Sequence, residues 1–526
     1  MSYYGNVASR ECAAGDHSFV GRWLCAVGFI ALALLLQTAA SVAHAACTAA
    51  ASANGQAAQP CLTTLVETDI ASGVYRFSGL DLASAESNDA AYASLLKNCG
   101  PGGSGCAGAS LTLFNRLRNL EDNADELLGF GETQYSIHLP AQLLGNALRW
   151  TADEEFSAQS SLTNRFASNQ FAGVSSRLSA LRFIAQTQHF ARADPGEDTY
   201  VADASSVVDA SSGSQPYAGS MLGGGASADE AMPIGKWSIY ANGVYDAGSK
   251  QATTFNDAFS FAGTTSIIGA DVRLSRTLVV GLLGNIIEQH ADFDSSESVV
   301  GGNVKGSGGG LTAYLDADIG DAYLNFSLGV QRISLDTRRV VTYGSNNPQI
   351  GFVDTTLTSS TNATSLMATA GGGYSFYLRS FSATPYLNWQ YLHTHIAGFQ
   401  ESATGTDPEF ATSAAGQRVV SLISVAGLKF QYAWSLPFGV LLPYAYGEYR
   451  REYKDHSQNV ASRYTVDASS SFQLPTDNIN PNYYEVGGGL MGVLARHAQI
   501  YVQYLRILKL EYYSDYGISG GIRFQF

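Results

Sequence analysis

Two histidines have a spacing that metal ligation can use. His393 and His395 are two residues apart, so a strand turns both rings to one face, and imidazoles are common metal ligands. Polar and apolar residues alternate in this segment, and the alternation puts both rings on the outer face of the predicted strand, near its end, so we predict no metal there. His138 and His189 have no obvious partnered nucleophile in the sequence. We therefore expect no cofactor and no enzymatic activity.

Cysteines are a second candidate for chemistry. Of the six, Cys12 and Cys25 lie in the first 45 residues, and the other four form two close pairs, Cys47 with Cys61 and Cys99 with Cys106. In an exported protein such pairs indicate disulfides that close small loops. The glycine-rich spacer between Cys99 and Cys106 contains no histidine, which favours a disulfide over a zinc site.

Arginines and acidic residues are the third group of candidate functional residues. Arg165, Arg177 and Arg182 lie in a segment whose apolar residues recur with helical spacing. Five acidic residues lie on the polar face of predicted strands: Asp271, Asp316, Asp318, Glu448 and Glu485. Opposite charges attract more strongly in a narrow, partly dry lumen than at a free surface. We predict that arginine–carboxylate pairs hold a helix inside a barrel as a plug; in the alternative, the arginines contact solvent around a linker.

The composition indicates what kind of fold positions these residues. Charged residues make up 14% of the 526 residues, glycine is frequent (55 residues) and the mean hydropathy is −0.01. Apolar residues are therefore dispersed among polar ones, as in a sheet with one apolar and one wet face. The net charge of −15 argues against a nucleic-acid partner, which would need a basic surface.

From about Lys236 to Phe526 the apolar pattern has a period of two residues. Leu324, Phe326, Leu328 and Val330 alternate with Asn325, Ser327, Gly329 and Gln331, and other segments repeat the pattern. A transmembrane barrel requires this arrangement, with lipid outside and a polar lumen, and its closure leaves no unpaired edge in hydrocarbon. The predicted fold class is an all-β transmembrane barrel with an α-helix in its pore and a small, partly helical N-terminal region.

About twelve antiparallel strands are expected. Their predicted cores are 236–247, 262–274, 277–293, 303–319, 321–336, 361–379, 381–399, 415–433, 438–453, 482–495, 498–512 and 515–526. Short turns at 275–276 and 320–321, and long polar loops at 345–361 and 455–482, should lie at opposite rims. Arg506 falls on a predicted lipid face, so it lies near an interface or the register slips there.

Tyrosines near strand ends are expected to form interfacial girdles. The residues are Tyr483, Tyr484, Tyr512, Tyr513 and Tyr516.

The N-terminus has the three parts of a secretory signal. Arg10 and Arg22 precede the apolar run from Trp23 to Leu36, and the small-residue site Ala43-His44-Ala45 follows it. A retained anchor helix is the alternative, although the run is short for a membrane span. Cys47 invites a lipoprotein interpretation, but His44 stands where an aliphatic residue is needed, so lipidation is disfavoured.

Five regions follow from these patterns. They are a signal peptide at 1–45, a short passenger region at 46–139, a pore or linker helix at 140–190, a flexible linker at 191–232 and a barrel at 233–526. The passenger region contains one plausible helix from Leu111 to Leu128, and Pro140 suits the start of the pore helix.

Three passages resemble the autotransporter family of the type V secretion route. Gly269 to Leu274, followed by Leu278 to Gly281, is similar to a strand–turn–strand near the start of that family's translocator. Ser176 to Arg182 is similar to its pore helix. Gly520 to Phe526 is similar to its last strand, and the resemblance implies that Phe524 and Phe526 form the signal for barrel assembly.

The resemblance implies a twelve-stranded barrel that encloses its linker helix and exports its own N-terminal passenger. The implied partners are outer-membrane lipid, the barrel-assembly machinery and periplasmic chaperones, and a monomer is expected. The passenger departs from the family because only residues 46–139 stand before the pore helix. The leading hypothesis is therefore a translocator in the bacterial outer membrane, with its N-terminal region at the cell surface or in the periplasm. The alternative is a plugged channel, adhesin or structural anchor that retains this region.

Overall fold

The computed structural model describes residues 91–192, without 93, 101–104, 128, 130–133 and 154, and residues 236–526, without 254–255, 276, 294–299, 437–438, 455–458, 469–470, 476–479 and 495–497. The side chains of residues 183–192, 459 and 474–475 are also outside this description. The predicted signal peptide, the pair Cys47–Cys61 and the predicted linker from 193 onward lie outside the described residues.

Nineteen strands lie within the described residues. They are β1 (Trp237–Lys250), β2 (Phe259–Arg273), β3 (Leu278–Phe293), β4 (Gly302–Ile319), β5 (Ala322–Tyr343), β6 (Val353–Tyr374), β7 (Phe376–Leu378), β8 (Phe381–Ile396), β9 (Phe399–Gln400), β10 (Ser402–Gly405), β11 (Thr412–Ala414), β12 (Gln417–Tyr432), β13 (Trp434–Leu436), β14 (Gly439–Glu452), β15 (Asn459–Tyr464), β16 (Ser471–Pro475), β17 (Asn482–Leu494), β18 (Ala498–Leu508) and β19 (Tyr513–Gln525).

Twelve of these strands form a closed antiparallel barrel. The strands β1 to β6, β8, β12, β14 and β17 to β19 pair in chain order. The ring closes where the first strand meets the last, with Ser238 opposite Gln525. No barrel strand is left with a free edge in hydrocarbon, as the lipid environment requires. The predicted fold class, a barrel of twelve strands, is confirmed.

The barrel turns its apolar face outward. Ile268 is 72% exposed and Val330 is 54% exposed, whereas the inward-facing Asp271 and Gln331 are buried. In a membrane, lipid covers the outer face and water fills the lumen. The exposed aliphatic side chains therefore face lipid, and the polar side chains face the lumen. The register stays continuous at Arg506, which faces outward two residues before the end of β18. Of the two alternatives for Arg506, a register slip and a position near an interface, the register slip does not occur.

The two rims differ in the length of their connections. One rim carries both ends of the barrel and short turns such as Gly320-Asp321. We call it the short-turn rim and the opposite one the long-loop rim. The predicted strand core 321–336 is too short because β5 continues to Tyr343, and the predicted long loop at 345–361 is wrong in part because β6 already begins at Val353. Threonines such as Thr355 and Thr356 favour strands even where no lipid requires an apolar face.

The predicted loop at 455–482 also contains strands. Its β15 and β16 join β9 and β11 in a separate four-stranded sheet.

The prediction that tyrosines near strand ends form interfacial girdles is wrong for two of them: Tyr483 is buried in the lumen wall, and Tyr513 faces inward with its hydroxyl 3.2 Å from that of Ser161. Tyr484, Tyr512 and Tyr516 are exposed as expected.

Among the described residues before the barrel, the helices with assigned bounds are α1 (Ala109–Leu127), α2 (Ala141–Thr151) and α3 (Glu155–Arg192). Pro140 occupies the N-cap position of α2, where its missing N–H costs no hydrogen bond. The helical pattern predicted from Pro140 onward is interrupted at Ala152, which has an extended backbone. Among the described residues, no helix is both long and apolar enough to cross a bilayer.

The described residues of 91–151 form an N-terminal module that packs on the long-loop rim. Leu113, Leu120 and Leu148 belong to one hydrophobic core together with Phe410 and Tyr464 from the long loops. All five side chains are almost fully buried. At roughly 1.5–3 kcal/mol for each large apolar side chain removed from water, this core is the main attraction between the module and the rim.

Candidate functional site: the helix in the barrel lumen

Helix α3 runs through the barrel from the long-loop rim towards the short-turn rim. It packs mainly against β1 to β6 and β8. Near its start Arg165 contacts Asp515, close to the long-loop end of β19. A little over three turns later, at about 3.6 residues per turn, Arg177 contacts Asp271, close to the short-turn end of β2. The helix therefore connects the N-terminal module to the rim at which β1 begins.

Among the described ion pairs of α3, the one that joins Arg177 to Asp271 is the most buried. The Arg177 Nε donates to Asp271 Oδ2 over 2.8 Å, and one Nη atom donates to the Ser238 hydroxyl over 3.0 Å. The Tyr314 hydroxyl donates to the same carboxylate over 2.8 Å, and the guanidinium lies 4.6 Å from the Tyr240 ring centroid. A buried charge is tolerated only when it is paired and hydrogen-bonded, and this one is both.

Arg165 and Arg182 also contact acidic residues of the wall. Arg165 lies 3.0 Å from Asp515 and 3.5 Å from Asp246, and Arg182 lies 3.6 Å from Asp316. The structure thus brings the predicted Asp271 and Asp316 to the helix, while Asp318 faces the lumen and acts on Arg182. Sequence reasoning missed Asp246 and Asp515, although the alternation of β1 and β19 places both on the inward face.

Glu448 and Glu485 have a different partner from the predicted one. Both carboxylates pair with Arg450 of the barrel wall, at 2.7 Å and 2.8 Å. They also accept hydrogen bonds from the hydroxyls of Tyr386 and Tyr446. The cause is local: Arg450 and Glu448 share the inward face of β14, and Glu485 lies opposite Glu448 on β17. The structure does not bring either glutamate to an arginine of α3.

Close packing complements the charges. Gly173 of α3 lies against Ile267 of β2, and a Cβ atom at this glycine would overlap the isoleucine side chain. Phe166 packs over Gly306 of β4, whose own Cβ would fall 2.5 Å from the ring. Gln170 donates to the Thr312 hydroxyl. These contacts fix the depth and rotation of the helix in the lumen, because interiors tolerate little change in volume.

A buried cluster holds the junction between α2 and α3 on the long-loop rim. The Arg339 guanidinium donates to both oxygens of Glu401 over 3.1 and 2.7 Å and lies 3.0 Å from Asp153. All three side chains are at most 1% exposed. Burial raises the pKa of the Asp153 carboxyl to about 6. A second buried pair, Arg149 with Asp257 at 2.7 Å, attaches α2 to the segment before β2.

The helix does not fill the lumen. A cavity of about 350 Å³ lies between α3 and the wall formed by β8, β12, β14 and β17 to β19. Its lining reaches from Tyr513 at the long-loop rim to Tyr323 and Gln431 near the short-turn rim. Lys429 and the cluster around Arg450 face it.

The other candidate residues lie away from the lumen. Cys99 and Cys106 form a disulfide in the N-terminal module, with a Cα–Cα distance of 4.9 Å. Phe524 and Phe526 are exposed on the outer face at the short-turn rim. His393 and His395 occupy outward positions of β8, and no group of three or more His, Cys, Asp or Glu that could hold a metal occurs among the described residues.

His138 contacts Glu126 and a neighbouring serine, an arrangement that the sequence did not indicate. Its Nδ1 lies 2.7 Å from Glu126 Oε2, and the Ser136 hydroxyl donates to the same oxygen. Because Ser136 is fully buried and bonded to the glutamate rather than to the imidazole, this arrangement braces the module and does not activate a nucleophile.

Solved structures with a similar course of the chain include three autotransporter domains. The translocator domain of NalP from Neisseria meningitidis is 16% identical and matches 57% of this chain and 92% of its own, with a TM-score of 0.44. The β domain of Bordetella BrkA is 18% identical over 55% of this chain and 100% of its own, with a TM-score of 0.36. The transport unit of AIDA-I from Escherichia coli is 13% identical over 57% and 93%, with a TM-score of 0.37.

A comparison with curated protein sequences finds no match. The family model described as the autotransporter beta-domain matches residues 239–505. This match covers half of the chain and almost all of the barrel, from β1 to β18. The chain therefore belongs to the autotransporter β-domain family, and its barrel is that of a translocator in the bacterial outer membrane.

Proposed function

We propose that this protein carries its own short N-terminal region across the outer membrane and displays it, still attached, on the cell surface. The observation that carries the proposal is the position of the N-terminal module. It shares one hydrophobic core with the long loops, and long loops of outer-membrane barrels are usually extracellular, whereas short turns are periplasmic.

The course of α3 supports the direction of transport. Its first residues lie beside the long-loop rim and its later residues beside the short-turn rim, where β1 begins. A chain with this path has its N-terminal part outside the cell, passes through the lumen as α3, and enters the barrel wall as β1 from the periplasmic side. We propose further that the ion pairs of Arg165, Arg177 and Arg182 keep α3 in the lumen after transport and so plug the barrel.

Retention rather than release is favoured by the contacts at the long-loop rim. A released passenger needs no specific contact with its translocator, whereas here Arg149 and Asp153 are buried against barrel residues Asp257 and Arg339. In this proposal the exposed Phe526 serves barrel assembly, with periplasmic chaperones and the assembly machinery as transient partners, and the barrel functions as a monomer in lipid. The displayed part is then the predicted passenger region 46–139, whose described residues belong to the module on the long-loop rim.

Protease treatment of intact cells tests display. An epitope tag inserted at Gly55 should be degraded, and the same tag in the turn at Gly320 should be protected until the outer membrane is permeabilised. The reverse pattern would support the alternative, a barrel with a periplasmic N-terminal plug. The size and the N-terminus of the mature outer-membrane species separate display from release: an attached module gives one species that includes residues 91–526.

A further inference from the structure

The cavity beside α3 contains one cation whose charge is not balanced locally. Most other charged groups that line this space are in ion pairs, such as Arg450 with Glu485 and Arg165 with Asp515. Lys429 forms no ion pair with any residue that the structure describes. Its Nζ lies 4.6 Å from the ring centroid of Tyr444, and its side chain is partly exposed to the cavity.

The surroundings of Lys429 add further donors. A second cation, Arg182, lines the same cavity, and its charge acts on the Lys429 ammonium. Arg182 contacts Asp316 with one Nη atom, but its buried Nε has no hydrogen-bond partner among the described residues. Gln431 lies two residues beyond Lys429 on the same inward face of β12 and also lines the cavity.

This combination has the properties of an anion site. Two cations close together repel each other, and a low-dielectric wall strengthens both that repulsion and the attraction to an anion between them. The cavity volume of about 350 Å³ is within the range of roughly 300–1,000 Å³ that small-molecule sites occupy. The donors face the lumen rather than the lipid, so the ligand reaches them from water.

We propose that Lys429, Arg182 and Gln431 form a binding site for a small soluble anion, a phosphate or a carboxylate, at the short-turn end of the lumen. The site does not depend on whether the N-terminal region is exported. Removing Lys429 also removes a repulsion, so Lys429→Gln should fold at least as stably as the wild type. Lys305→Gln is the matched control, because Lys305 lies on a barrel strand but faces outward.

The test is the melting temperature of the full-length protein in neutral detergent, with inorganic phosphate replacing chloride at constant ionic strength. The wild type and Lys305→Gln should gain about 2–4 °C when phosphate is several times its dissociation constant. Lys429→Gln should gain nothing, and Lys429→Arg should recover the shift. An equal gain in wild type and Lys429→Gln, or no gain in the wild type, would overturn the proposal.

Discussion

Replacing Arg339 by glutamine should undock the N-terminal module while leaving the barrel intact. Arg339 is fully buried and contacts two carboxylates, Asp153 from the α2–α3 junction and Glu401 from a long loop. It also donates to the carbonyl oxygen of Phe410 over 3.1 Å. The substitution leaves both acids buried without a countercharge, and breaking a buried ion pair in this way costs about 3–5 kcal/mol.

Hydrogen exchange measures this cost directly. Amides of α1 around Leu117 exchange when the module opens, whereas amides of the barrel strands report on the barrel itself. A loss of about 3 kcal/mol accelerates exchange in α1 by roughly 100-fold, and the strands should be unaffected. Arg338→Gln is the matched control because Arg338, one residue earlier on β5, faces outward. If both variants exchange alike, the buried cluster does not hold the module.

Other contacts give three further predictions. Because the pKa of Asp153 is raised from 3.8 to about 6, the protonated carboxyl stabilises the docked module below pH 4, and this stability is lost as the pH rises through 6. Asp153→Asn should flatten this pH dependence of α1 hydrogen exchange, and an unchanged slope would refute the prediction. Replacing Cys99 and Cys106 by serine should cost about 2–3 kcal/mol in the module alone, as measured by its denaturant midpoint; a change in barrel unfolding would contradict this. Gly173→Leu should displace α3 from Ile267 and raise single-channel conductance in planar bilayers, Ile267→Ala should restore the closed state, and unchanged conductance in Gly173→Leu would show that the helix is no plug.

The barrel could be predicted from the sequence because lipid imposes one rule on every strand. Segments such as Leu324 to Val330 must alternate if one side meets hydrocarbon. Lipid no longer requires this alternation where the strands leave the membrane. The extension of β5 to Tyr343 and the short strands β15 and β16 therefore could not be predicted from it. Their polar and β-branched residues form strands through backbone pairing and contact with the N-terminal module.

The sequence was enough to predict that arginines of a helix and acidic residues of the wall meet in the lumen, but not which acid pairs with which arginine. Alternation identifies which acids face inward, and helical spacing identifies Arg165, Arg177 and Arg182 as candidates. The rotation and depth of α3 decide which acid meets which arginine, and these depend on packing contacts such as Gly173 against Ile267. Arg450 was missed because it belongs to the wall, where a neighbour on the same strand satisfies Glu448 before the helix can.

The position of α3 in the native membrane is the central claim, and a disulfide between the helix and the wall tests it most directly. A Cβ at Gly173 would lie 3.6 Å from Ile267 Cγ1, so cysteines at these two positions are within bonding reach. Oxidised outer membranes that contain the double variant Gly173→Cys, Ile267→Cys should show near-complete cross-linking by electrophoretic mobility. The pair Ser175→Cys, Ile267→Cys should show none, because Ser175 faces the cavity. Absence of the first cross-link in folded barrels would contradict the placement of the helix in the lumen.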